Sequence, residues 1–122
     1  MYFNMDCPCK GKNLDKLLQP LILSILIEGG DLHGFAIIKE MSELPRFKDN
    51  APDAAGVYRY LKKMETSGLL SSSWDVSDEQ GNPKRIYSIT SHGRQCLGNW
   101  VIALTDYRNY IDELIGKINN SL

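Results

Sequence analysis

Long apolar runs are missing from this 122-residue chain. The stretch "LILSILI", residues 21 to 27, is far shorter than the roughly 20 residues that span a bilayer. The opening "MYFNMDCPCKGKN" lacks the basic-then-apolar order of a signal peptide. With neither signal legible, a cytoplasmic protein without membrane contact is expected. Cysteine is scarce and odd in number, three in all, which speaks against a disulfide framework. Internal repeats and low-complexity tracts are lacking, and no glycine-rich phosphate loop occurs: "EGGD" at 28 to 31 is not followed by the Lys and Ser/Thr of a P-loop. An excess of positive charge is lacking too, with 14 Lys and Arg against 15 Asp and Glu and a net charge of -1. By its total charge the chain does not announce a nucleic-acid ligand.

What is present is ordinary globular stock, 43% hydrophobic and 24% charged, enough for one domain with a single core. Residues 1–13 read as a loose arm. Leu14, Leu17, Leu18, Leu21, Ile22, Ile25 and Leu26 then recur at helical spacing. Pro20 either kinks that helix or sits in its first turn, and the two glycines of "EGGD" end it. A second helix is expected in "GFAIIKEMSEL", with Phe35, Ile38 and Met41 along its packed side. The loop "PRFKDNAPD" leads to Asp53 as N-cap of a third helix, Ala54 to Ser67, with Gly68 as its stop. Two strand candidates follow, "LLSSSWDV" and "RIYSIT", joined by the turn-rich "SDEQGNPK". Alternation puts Leu70, Trp74 and Val76 on one face of the first, and Tyr87 and Ile89 on one face of the second. Thr90 or Ser91 caps a long last helix. The expected fold class is α+β, mostly α: a winged helix-turn-helix domain of three helices and a β-hairpin wing over 14–90, with a C-terminal dimerisation helix over 91–122.

Charge is distributed unevenly along this frame. From Arg46 to Arg94 there are eight Lys or Arg against six Asp or Glu, and the acidic surplus lies elsewhere. A turn of about 100° per residue places Val57, Tyr60, Leu61 and Met64 on one arc of the third helix and Ala55, Arg59, Lys62, Lys63 and Thr66 on the opposite one. A helix meant for the major groove needs this division, because its outer side must meet phosphates and base edges. The small residues of "DAAG" let backbone approach a phosphate at the helix N-terminus. Asn82, Lys84 and Arg85 at the hairpin tip are placed to reach the flanking backbone. Outward Lys and Arg alone are more often a solvated face; the order of elements around them favours DNA.

The segments "LILSILIEGGDLHGFAIIKEM", "GVYRYLKKMETSGLL" and "GNPKRIYSITSHGRQCL" resemble the PadR family of bacterial transcriptional regulators, over roughly residues 18 to 98. The shared features are His33-Gly34-Phe35 opening the second helix, Tyr58 in the third, "SGLL" before the wing, and the Gly-Asn-Pro-Lys-Arg-x-Tyr run. The chain departs from the family pattern at Ser91 and His92, where an acidic residue usually follows the Thr. The resemblance implies a dimeric DNA-binding regulator, a repressor released by a small molecule or a stress signal, and adds Tyr58 to the DNA-facing residues.

The last helix, roughly 28 residues and so about 40 Å long, carries Leu97, Trp100, Val101, Leu104, Ile111, Leu114, Ile115 and Ile118 on one stripe. That is more apolar surface than a soluble monomer exposes. Packing on a symmetry mate would cover it and set two recognition helices about one DNA turn apart; folding back on the first helix is the alternative. If the chain has an effector pocket, its expected place is at Trp100 and Tyr107, near the dimer seam. Catalysis finds no support: His33 and His92 lie 59 positions apart with no nucleophile arrangement. Cys7 and Cys9 supply only two thiols, with Asp6 a poor third ligand, so no closed metal site is expected. They remain either plain reduced thiols or a metal- or oxidation-responsive pair. No cofactor is expected. Sequence-specific regulation of transcription is the leading functional reading; a winged-helix module that docks an acidic protein without DNA is its rival.

Overall fold

The computed structural model describes residues 17–77, 81 and 83–122. The N-terminal arm with Cys7 and Cys9, Leu14, and Asn82 in the hairpin lie outside the described residues. Helix α1 spans Leu18–Gly29 and places Pro20 in its first turn, where a missing N–H costs nothing. A two-residue strand, β1, Leu32–His33, leads directly into α2, Gly34–Ser42. A 3-10 turn at Pro45–Phe47 precedes α3, Ala54–Thr66. Strands β2, Leu70–Asp75, and β3, Lys84–Ile89, form the wing, and α4 runs over Ser91–Ser121. Among the described residues no helix is long and apolar enough to cross a membrane.

The three strands make one antiparallel sheet in the order β1-β3-β2. Leu70 pairs with Ile89 at the base of the wing and Asp75 with Lys84 at its outer end, while Leu32 pairs with Tyr87 on the other edge of β3. The sequence reading anticipated a two-stranded hairpin; β1 was missed because two residues carry no legible alternation.

One core unites these elements. Ile22, Leu23, Ile25 and Leu26 of α1 meet Ile37 and Met41 of α2, Val57, Leu61 and Met64 of α3, and Leu69, Leu70 and Tyr87 of the sheet. The packed face of α2 differs from expectation. Gly34, Ile37 and Met41 are buried, Ile38 lies at the edge, and Phe35 is 72% exposed. The cause is Gly34: a Cβ there would overlap the Tyr58 ring, so α3 packs closest on a residue that hydrophobic counting ignores. Trp74 and Val76 also face solvent, because the wing extends past the core.

Both ends of the α3–wing connection are tightly specified. Gly68 N–H bonds Glu65 C=O and Leu69 N–H bonds Met64 C=O, both at 3.0 Å. This six-residue closure needs the positive φ of 82° that Gly68 supplies. Thr90 caps α4: its Oγ1 accepts from Gly93 N–H at 3.0 Å and donates to Gly68 C=O at 2.6 Å. The hydroxyl thus ties the start of α4 to the end of α3, and the Ser91-His92 departure leaves that cap in place.

Candidate nucleic-acid interface

Helix α3 is divided as its periodicity requires. Val57, Leu61 and Met64 are buried and Tyr60 half-buried, while Ala55, Arg59, Lys62, Lys63 and Thr66 are exposed. Asp53 stands at the N-cap without a side-chain bond to the helix; its carboxylate instead lies 4.0 Å from Arg59 Nη2, with both side chains about three-quarters exposed. Such a pair contributes little to stability in water and leaves the guanidinium available to a stronger anion.

The start of α2, the middle of α3 and the wing surround a cleft of about 490 Å³. Its walls are His33, Gly34, Phe35, Ala36, Tyr58, Lys84, Arg85 and Tyr87. Tyr58 is half-exposed, its ring lying over Gly34. Burial pushes the Tyr87 phenol up, Arg85 pulling it the other way. Lys84, the first residue of β3, is exposed.

Arg85 departs from the outward placement expected of a wing-tip cation. It is half-buried, its Nη1 3.3 Å from Glu65 Oε1 and 3.0 Å from Ser72 Oγ, with the guanidinium 4.6 Å from the Trp74 ring centroid. Sequence reasoning did not single out Glu65, whose partner lies 20 positions away.

A second polar tie fixes the other side of the wing. His33 Nε2 donates to Asp75 Oδ2 at 2.9 Å, and Ser77 donates to Oδ1 through its N–H at 3.0 Å and its hydroxyl at 2.6 Å. The Ser77 bonds first and His33 after them hold the Asp75 carboxyl down at about 2. His33, expected only as a local turn residue, therefore joins the start of α2 to the outer part of β2.

The residues expected to bind an effector lie on α4, Trp100 where that helix meets α1. Trp100 Nε1 donates to Gln19 Oε1 at 2.7 Å, linking α4 to α1. Burial pushes the Tyr60 phenol of α3 up, the Gln19 side chain pulling it the other way. Trp100 and Tyr107 border a shallow depression of about 350 Å³. On its other side Trp100 reaches a cavity of about 710 Å³ walled by Leu18, Phe47, Pro52, Val57 and Tyr60. Beyond Leu104 every residue of α4 is exposed, Ile111, Leu114, Ile115 and Ile118 included. Among the described residues no three His, Cys, Asp or Glu side chains gather as a metal site.

A helix pair that presents an outward basic helix beside a sheet wing defines a winged helix-turn-helix protein. Residues 22–99 match the transcriptional regulator PadR-like family, and the chain belongs to that family. The fold is similar to a candidate transcriptional regulator of Thermoplasma acidophilum, 30% identical with a TM-score of 0.73, over 86% of this chain and 96% of that one. It is also similar to Bacillus subtilis PadR in complex with operator DNA, 28% identical with a TM-score of 0.61, over 70% of this chain and 46% of that one. A PadR family transcription regulator from Clostridium difficile, 24% identical with a TM-score of 0.67, shares the fold over 80% of this chain and 96% of that one. None of the curated proteins matches this chain. The protein is thus a PadR-like transcriptional regulator, a DNA-binding class and not an enzymatic one.

Proposed function

We propose that this regulator is a repressor that binds double-stranded DNA sequence-specifically as a homodimer, with α3 in the major groove and the wing on the flanking backbone. The observation that carries the reading is the division of α3, whose Arg59, Lys62 and Lys63 are exposed opposite a fully buried Val57, Leu61 and Met64. The operator DNA bound to the Bacillus subtilis relative supports it. In this reading Ala55, Tyr58, Arg59, Lys62, Lys63 and Lys84 face the duplex. Residues 14–90 form the DNA-binding unit, and 91–122 pair the two copies. A small-molecule effector occupies the region around Trp100 and Tyr107, where a ligand would touch α4 and reach α3 across the cavity that Trp100 shares with Val57 and Tyr60.

The test is the double substitution Arg59→Ala with Lys62→Ala. Two lost contacts at about 1–3 kcal/mol each predict a fall of about 30-fold or more on a duplex selected from genomic fragments. Thermal stability and oligomeric state should stay as in the parent. Undiminished affinity would remove α3 from the groove. Duplex binding that fails to weaken with added salt would favour a protein partner instead, because phosphate neutralisation releases counterions.

A further inference from the structure

We propose that Arg85 is a positioning residue of the wing and not a phosphate contact: with Glu65, Ser72 and Trp74 it sets the pose of the wing against the recognition helix. The proposal rests on the reading of α3 as the groove helix. Its basis is a closed set of contacts from three elements. Arg85 Nη1 donates to Ser72 Oγ at 3.0 Å and to Glu65 Oε1 at 3.3 Å, while Ser72 Oγ donates to Glu65 Oε2 at 2.5 Å. Both Arg85 contacts come from the one nitrogen, and Glu65 uses both oxygens. The same guanidinium lies over the Trp74 ring, with Cζ 4.6 Å from its centroid. Among the described residues, Glu65 makes the only side-chain hydrogen bonds that join α3 to the wing strands.

An isolated ion pair at this exposure, 40% for Arg85 and 29% for Glu65, would contribute little. Its geometry contributes more. One nitrogen of Arg85 serves both acceptors while the rest of the delocalised guanidinium stays over the Trp74 ring, a combination that the compact Lys ammonium is less suited to make. Register strengthens the case, since Arg85 pairs directly with Trp74 across the ladder. The core holds only the base of the wing, through Leu70 and Tyr87, and the outer part stands beyond it with Trp74 59% exposed. Charge gives the second half of the argument. Glu65 lies on α3 three residues after Lys62, on the wing side, where a bare carboxylate would oppose a phosphate. Arg85 cancels it. Were Arg85 to turn to DNA, Glu65 would keep its Ser72 bond but no cation to balance its charge.

Two measurements test this. In the free full-length protein, the Trp74 indole N–H resonance should shift and broaden in Glu65→Gln, which does not touch Trp74 except through Arg85. Lys84→Ala should leave that resonance in place. With a fluorescein-labelled mixed-sequence duplex, the double variant Glu65→Gln with Arg85→Gln removes one charge of each sign. It should bind more weakly but keep the parent's salt slope, whereas Lys84→Ala should flatten the slope by about one unit. A Trp74 resonance unmoved by Glu65→Gln would overturn the brace. So would a double variant whose slope falls as that of Lys84→Ala does. Failure of the parent to bind any duplex would instead strike the proposed function, and the free-protein measurement would still decide the brace.

Discussion

Asp75 shows how single residues hold the outer part of a wing, which the core does not reach. Its carboxylate accepts two bonds from Ser77 and one from His33, so the charged form is favoured and the carboxyl titrates at about 2 instead of the usual 3.8. A carboxyl lowered on folding adds stability above its unfolded value and loses it as pH falls through the folded one. The expected result is a melting temperature that drops as pH falls from 3.8 towards 2, and drops less in Asp75→Asn. Thermal melts of the two proteins across that range check it; parallel acid limbs would show that the Asp75 contacts carry no folding energy. Such residues were hardly legible in the sequence. His33 and Asp75 lie 42 positions apart, and Glu65 and Arg85 lie 20 apart. No local period records a pair that only the sheet register brings together. The outward residues of α3 were legible for the opposite reason, because they alternate with core residues on one helix.

Elements were readable wherever burial imposes a period. Val57, Leu61 and Met64 repeat at helical spacing because each meets the core, and Gly68 and Thr90 mark ends where backbone groups need partners. The packed face of α2 was not readable, since its closest approach is made by Gly34, which has no side chain to count. Helix α4 is the element with most left to explain. Its 31 residues extend about 46 Å. Only the part up to Leu104 packs on the body, through residues such as Gly93, Cys96, Leu97 and Trp100. Fold-back on α1 therefore accounts for Leu97 and Trp100 alone. Val101, Ile111, Leu114, Ile115 and Ile118 keep between 42% and 62% of their surface in water. Covering each would contribute of order 1 kcal/mol. We expect Ile111→Glu with Ile115→Glu to yield a folded monomer, with circular dichroism near that of the parent and light scattering giving half the mass. A double variant that stays dimeric would place the interface elsewhere.

For the molecule as a whole, a net charge of -1 is compatible with DNA binding because the surplus of positive charge is confined to residues 46–94. The acidic surplus lies outside that region. Such a polarised surface steers a duplex to one side while keeping overall repulsion between copies small. One winged helix offers few phosphate contacts, so tight operator binding requires two of them held at a fixed separation. Paired α4 helices would supply that separation, and two-fold symmetry would demand two half-sites related by a dyad. Recognition helices entering successive major grooves on one face of B-DNA sit roughly 34–36 Å apart. The proposed dimer therefore predicts a spacing rule. Inserting about half a helical turn, roughly 5 base pairs, between half-sites of a selected operator would rotate one half-site to the far side of the duplex. Affinity should then fall to that of a single half-site, while a full-turn insertion restores the facing though not the distance. Fluorescence anisotropy on the three duplexes reads this directly. Half-site affinity is itself measurable on a duplex with one half scrambled, which sets the floor for the comparison. If the half-turn insertion bound as tightly as the parent operator, the two recognition helices would not be rigidly coupled. The long helix would then be a tether rather than a ruler.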